Sequence, residues 1–469
     1  MNTHHPGRIT VVSAAALLAA SSGQAVAQSN EELMAIIRQQ QRQIEELSRK
    51  VDALQEGAAA EAVEPAAPPE SQVVVDYEGS PIPRIELYET NDAGEREKMF
   101  DFKPRGRLLV DGGYLDDDDG FFSNDNATEL RAARLGFEGT AWRDFEYKLE
   151  ADFADNEVDL ADAFIEYGGP FLDPAYVRVG HFKTPNSLEE QTSSRFITFM
   201  ERAAITDAFE LDRRIGLGSG VGGDTWAFNA GLFGQNVGDV ENDEGYAAAG
   251  RGHYALVDTF GEDSAIHLGA SARFRDLDND ADDSAVRYRQ RPFFHFTGTR
   301  LADTGDVPEA ENDILAGGEL ALVLGPFSVQ AEAAHTWLQR DDADDADGLW
   351  GGYIDASYFL TGESRNYEAD EGIFNRVRVA NPVHEGGLGA WQIGVRLDYI
   401  DLNDDGADVL GGEQYSAIAG VNWYLNNHVR FMLNYAFSHV DDAEDSPDAA
   451  ADGDSNYVHG VGGRFQVDF

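Results

Sequence analysis

From residue 100 to the end of the chain, apolar and polar positions alternate with a period of two, in segments of about nine to thirteen residues separated by turn residues. Phe145, Tyr147, Leu149, Ala151 and Phe153 alternate with Glu146, Lys148, Glu150 and Asp152, and the stretches Ile266 to Phe274, Trp391 to Tyr399 and Val429 to Phe437 repeat the pattern. Each predicts a strand with one greasy and one charged face. A soluble sandwich would bury the greasy face against a second sheet. An outer-membrane barrel turns it to lipid and lines a wet lumen with the polar one.

Three features select the barrel. The chain closes on a strand, Tyr457 to Phe469, that alternates to a terminal Phe, and aromatic residues gather near strand ends, as in Trp423-Tyr424 and Tyr358-Phe359. Connections alternate between tight (Gly325-Pro326, Asn426-Asn427, Gly222-Gly223) and long. Sixteen strands are predicted, the first over 104–114 and the last over 457–469, an even number that keeps both chain ends on the periplasmic side. A seventeenth candidate, Arg287 to Phe296, breaks that parity and is assigned to a long external loop. The fold class is therefore all-β, a 16-stranded antiparallel transmembrane β-barrel preceded by a short coiled-coil helix.

Ahead of the barrel, basic His4, His5 and Arg8, the apolar run Ile9 to Ala20 and the small residues Ala25-Val26-Ala27 read as a secretory signal peptide over residues 1–27. Residues 28–56 carry a heptad seam of Leu33, Ile37, Gln40, Ile44, Leu47, Val51 and Leu54, a periplasmic coiled coil that requires partner copies. Its β-branched and Leu core positions favour two strands by rule, with Gln40 a polar register point. Residues 57–99 read as a linker and lead-in, rich in Ala, Glu and Pro over 57–70. The barrel occupies 100–469.

Composition then narrows the chemistry. The 469 residues hold 35 Lys and Arg against 86 Asp and Glu, a formal charge of −51, which argues against nucleic acid as a partner. The absence of Cys excludes disulfides, Cys-zinc sites and thiol catalysis. Much of the acid falls in loops at one end, at Asp116 to Asp119, Asp276 to Asp283, Asp341 to Asp347, Asp404 to Asp408 and Asp441 to Asp454. It serves solubility there, or divalent bridging to anionic headgroups. No run has the spacing of a twelve-residue calcium loop, so neither a metal site nor a cofactor is assigned. No Gly-x-Ser-x-Gly stands at a strand-to-helix turn, and an enzyme is not expected.

Several stretches resemble a known family: Arg131 to Gly139, Val177 to Glu190 with its Gly-His-Phe-Lys, Phe359 to Tyr367, Gly389-Ala-Trp391 with Asp401-Leu-Asn403, and Asn422 to Asn426. Together, and in this order, they are similar to the phosphate-selective porin O and P family. The resemblance implies a sixteen-stranded, trimeric outer-membrane channel, anion-, phosphate- or pyrophosphate-selective in some members. It also implies that the loop after the Gly-His-Phe-Lys strand forms the constriction, pointing to Lys183 and the stretch Ser194 to Arg202.

An anion path needs donors spaced along it, with Arg forks matched to oxyanions. Strand parity turns Arg105, Arg107, Arg134, Lys148, Arg251, Arg273, Arg275, Arg396, Arg430 and Arg464 inward. Arg195, Arg202, Arg213 and Arg214 belong to one long external loop, and Arg287, Arg289 and Arg291 to another. Inward carboxylates such as Asp111, Glu138, Glu150 and Asp398 offer each of these bases the alternative of a wall-bracing ion pair. Three functions follow for comparison: a passive channel for small inorganic anions such as phosphate or polyphosphate, a general or cation-preferring porin, and a non-conducting structural or adhesive barrel tethered by the coiled coil. Outer-membrane lipid and other copies of the chain are the expected partners.

Overall fold

The computed structural model describes residues 71–77, 82–91, 94–117, 125–154, 157–237, 245–277, 285–300, 302–341, 343–447 and 455–469, together with the helical residues Glu46, Arg49 and Lys50. The signal peptide and the seam residues Leu33, Ile37, Gln40, Ile44, Leu47, Val51 and Leu54 lie outside the described residues. Residues 1–69 and 70–469 are separate units.

The second unit is one antiparallel sheet of eighteen strands. Two form a hairpin, β1 (Ser71–Asp76) and β2 (Arg84–Thr90). The other sixteen make a closed ring: β3 (Arg96–Asp117), β4 (Asp125–Ala141), β5 (Phe145–Asp152), β6 (Asp159–Tyr167), β7 (Ala175–Lys183), β8 (Arg213–Gly223), β9 (Trp226–Phe233) and β10 (Ala247–Val257). The ring continues through β11 (Ser264–Asp276), β12 (Ala310–Leu324), β13 (Phe327–Arg340), β14 (Ala346–Phe359), β15 (Ala390–Asp404), β16 (Val409–Asn426), β17 (Val429–Asp441) and β18 (Asn456–Asp468). Closure comes from β18 pairing back onto β3, Val458 opposite Asp117 and Asp468 opposite Arg107, with Phe469 and Gly106 exchanging backbone hydrogen bonds.

The predicted alternation is realised on the wall. Along β15 the outward Trp391, Ile393, Val395 and Leu397 are exposed and Tyr399 is half-buried, while Gln392, Arg396 and Asp398 are buried in the lumen. Aromatic rows ring both ends of the apolar face. Trp391, Trp423, Phe431 and Phe465 stack in sequence at the end that bears the C-terminus, at 5.2, 6.0 and 4.8 Å. Trp350, Tyr399 and Tyr415 make a second row at the other, with tilted rings whose centres are 4.9 and 4.6 Å apart. Tyr399 stands eight residues beyond Trp391, about 27 Å of strand. Once the strand is tilted, that approaches the apolar band of an outer-membrane barrel, about 25 Å tall.

The two ends differ. At the C-terminal end, called here the turn end, 325–326 and 427–428 join strands directly; at the opposite, loop end, 184–212 and 277–309 are long. Arg287 to Phe296 stays out of the ring, as parity requires. It makes only two-residue ladders inside its loop.

Two expectations need correction. The lead-in 57–99 is not all linker, because β1 and β2 pair with each other and β2 pairs with the first part of β3, which begins at Arg96. Pro104, the first residue of the predicted strand, lies inside β3, where pairing with β2 has ended at Phe102 and pairing with β18 has not begun, so one flank of β3 has no neighbour there. The turn end is also not uniformly tight, since 360–389 joins β14 to β15 and folds into the lumen.

Candidate functional site

Loop 184–212 leaves β7 and enters the barrel. A buried loop needs partners for its backbone, and the wall supplies them. Leu188 and Glu189, at the start of α1 (Leu188–Gln191), each donate a backbone N–H at 2.8 Å to the Glu332 carboxylate of β13. Glu189 takes an ion pair from Arg396 of β15 at 2.5 Å and accepts the Ala203 N–H at 2.8 Å, ahead of α2 (Ala204–Phe209). Farther along, the last three strands hold the segment 195–201. Gln466 donates to the Arg195 carbonyl at 3.0 Å, Arg430 to that of Ile197 at 2.9 Å and Asn422 to that of Thr198 at 2.8 Å, while Asn434 accepts the Met200 N–H at 3.2 Å.

Two further loops close in. From the loop end, Phe294 of 277–309 packs on Gly460 and Gly462, where any Cβ would meet its ring within 2.4 Å, and Tyr288 donates to Asp313 at 2.8 Å. From the turn end, 360–389 meets the first loop: the Phe374 N–H donates to Thr192 Oγ1 at 3.2 Å. Arg251 holds this loop through the Gly372 carbonyl at 2.8 Å, and Arg365 through Gln330 at 3.0 Å.

Between these loops and strands β3 to β8 remains a cavity of about 570 Å³. Its lining includes eleven basic side chains, Arg105, Arg107, Arg131, Arg134, Lys148, Arg178, Lys183, Arg195, Arg202, Arg213 and Arg464, against six acidic ones, Glu138, Asp162, Glu201, Asp212, Glu368 and Glu371. A chain with a net charge of −51 thus presents an excess of base to this space.

Lys148 and Arg213 pair with Asp162 within the lining, at 2.7 and 3.0 Å, and most of the other bases are held from behind by carboxylates outside it. Glu150 takes Arg105 at 2.8 Å and Arg107 at 2.9 Å, Asp152 takes Arg134 at 2.7 Å, Glu190 takes Lys183 at 3.1 Å and Arg202 at 3.2 Å, and Asp111 takes Arg464 at 2.6 Å. Glu201, on the loop, is shared by Arg131 at 3.2 Å and Arg464 at 2.6 Å. Burial alone would raise its carboxyl, but the two guanidinium groups outweigh burial and hold it below the usual range. Arg195 is different. Among the described residues no carboxylate lies within ion-pair distance of it; its Nε donates to Ser193 Oγ at 3.2 Å and its guanidinium stands 4.8 Å from the Phe196 ring centre. Burial, with Arg105 nearby, pushes it down to about 10, so it is still protonated at neutral pH. Beside it, Arg107 donates to Ser194 Oγ at 2.7 Å.

The family model for phosphate-selective porin O and P matches residues 102–469. The chain belongs to that family. An uncharacterized protein of Caulobacter vibrioides is 35% identical over 421 residues, 86% of this chain and 79% of the relative. Porin O of Pseudomonas aeruginosa is 30% identical over 383 residues, 74% of this chain and 84% of that protein. Among solved structures, OmpT of Vibrio cholerae aligns with a TM-score of 0.46 at 14% identity, over 79% of this chain and 98% of its own. An anion-selective porin from Comamonas acidovorans aligns at 0.45 and 14%, over 79% and 100%. The protein is an outer-membrane porin.

Of the bases named from this porin's sequence, Arg105, Arg107, Arg134, Lys148, Lys183, Arg195, Arg202, Arg213 and Arg464 share the cavity. The others do not line it. Arg251 pairs with Glu319 at 2.8 Å, Arg273 with Asp313 at 3.1 Å, Arg275 also with Asp313, Arg287 with Asp303 at 2.6 Å and Arg291 with Asp207 at 3.5 Å. Arg214 and Arg289 are not part of the lining. Two lining bases went unnamed as candidates: Arg131 and Arg178. Arg178 follows from parity, since Val177 and Val179 point outward. Arg131 does not. It is the extra residue of a bulge, with Leu109 opposite Ala132 and Val110 opposite Leu130, and simple alternation would turn it to lipid.

Proposed function

We propose that this porin is a passive, water-filled channel for small inorganic anions, phosphate-like oxyanions among them, with the turn end in the periplasm and the Asp-rich loop end outside. The observation that carries this is the cavity lining: bases face the space, their carboxylate partners stand largely in the wall behind, and Arg195 keeps a guanidinium free of any carboxylate among the described residues. Arg forks suit oxyanions that keep their charge while shedding part of their hydration. Acidic loops around an external rim are screened over about 8 to 10 Å at moderate salt, so they act on approach more than at the constriction. A homotrimer fits the family, and in it the seam over 28–56 would join three copies in place of the two that its core residues favour by rule.

Planar-bilayer recordings in a salt gradient test the reading. The expected reversal potential has the sign of an anion-selective pore, and phosphate added to chloride lowers the chloride current by occupying the same path. A potential of the opposite sign leaves the cation-preferring porin, and absence of conductance leaves the structural barrel.

A further inference from the structure

The turn-end side of the same cavity carries the opposite charge. Glu368 and Glu371, both on loop 360–389, are part of its lining. Below the arginines the barrel wall adds Glu146 of β5 opposite Glu166 of β6, and Glu166 opposite Arg178 of β7. Arg178 is already committed to Glu166, at 2.6 Å, and lies over the Phe164 ring at 4.3 Å. Glu368 accepts a hydrogen bond from Asn375. Glu371 faces the lumen water, and among the described residues its carboxylate makes no ion pair. The loop is fixed in place from β10: Arg251 donates to the Gly372 carbonyl at 2.8 Å, and His253 Nε2 lies 2.9 Å from that of Ala369. The carboxylates therefore hold a set position under the basic constriction.

We propose that Glu371, seconded by Glu368, is a selectivity-determining charge at the turn end of the pore, opposing the basic constriction so that the preference for anions falls as Glu371 loses its proton. The inference rests on the anion reading above and adds a specific residue and a control to it. The lumen walls strip water from part of the Glu371 carboxyl, and Glu368 and Asp370 add their charge; both effects push it up, to about 7, with Arg178 pulling the other way and Glu146 adding a smaller push upward. Below that pH the group is neutral and the exit is passive to anions. Above it the group is charged, and an anion leaving the arginines meets repulsion.

Reversal potentials of the full-length porin in a potassium chloride gradient, measured at about pH 5.5 and about pH 8.5 for wild type, E371Q and E371D, decide it. In wild type the anion-to-cation permeability ratio falls about two- to three-fold between the two, the size expected of one unit charge a few ångströms from the path in a water-like dielectric. E371Q holds the higher ratio at both values, and E371D keeps the dependence. The inference is overturned if E371Q retains the wild-type dependence, which would assign it to lumen histidines such as His253. It is also overturned if E371Q alters conductance at high salt, where charge is screened, since the effect would then be one of loop shape. The sign of the wild-type potential reports separately on the anion reading, because the difference made by E371Q is measured whatever that sign is.

Discussion

Arg195→Glu should cut the anion-to-cation permeability ratio by about ten-fold or more and bring the pore to cation preference. Most bases in the constriction are half of an ion pair, and removing one leaves a wall carboxylate partly compensated by its neighbours. Arg195 has no such partner among the described residues, so its full charge acts on the cavity. Replacing it by Glu changes the local charge by two units in a space with few compensating groups, where each unit is worth more than in bulk water. The backbone of residue 195 is held through its carbonyl by Gln466, so the substitution leaves the loop anchored. Arg195→Gln should give about half the effect in free energy. Reversal potentials in a salt gradient measure both. An Arg195→Glu pore with wild-type selectivity would place the anion path elsewhere.

Arg396→Met is expected to have the largest effect on the loop itself. Arg396 lies outside the cavity lining and acts only through Glu189 and Asp355, at 2.5 and 2.9 Å, with Tyr353 and Phe199 stacked on its guanidinium. Its loss leaves two carboxylates buried without their cation, an arrangement that costs about 3 to 5 kcal/mol. Glu189 also caps the approach to α2, so its displacement frees the loop on the β15 side. Single-channel conductance should rise and become noisy, and the thermal unfolding temperature should drop. Adding Glu189→Gln to Arg396→Met should recover part of the stability, because it removes one of the stranded charges. Unchanged conductance in Arg396→Met would mean that the remaining hydrogen bonds to Arg430, Gln466 and Asn422 suffice.

The barrel was readable from the sequence because its signal is local. Period-two alternation depends on a strand having one wet and one apolar face, and each residue declares its own side. The predicted strand over 457–469 is within one residue of β18 at each end. Parity extended that local signal around the ring and kept Arg287 to Phe296 out of it. The failures are non-local. Whether Arg251 serves an ion or a wall depends on Glu319, 68 residues away, and no pattern near Arg251 records that. Loop 360–389 looks like any polar connection until Thr192 and Arg251 meet it inside the lumen. Arg131 was lost to a one-residue bulge, which inverts the facing that alternation assigns.

The hold that the last strands keep on residues 195–201 ties selectivity to assembly. Gln466 and Arg464 of β18 anchor Arg195 and Glu201, and β18 is also the strand that seals the ring against β3. A chain whose final strand has not yet paired has neither a closed wall nor a positioned filter. The two are completed in the same event, so a barrel left open at that seam would be a leak without discrimination. The terminal strand is at once the lock of the cylinder and the post that fixes its constriction.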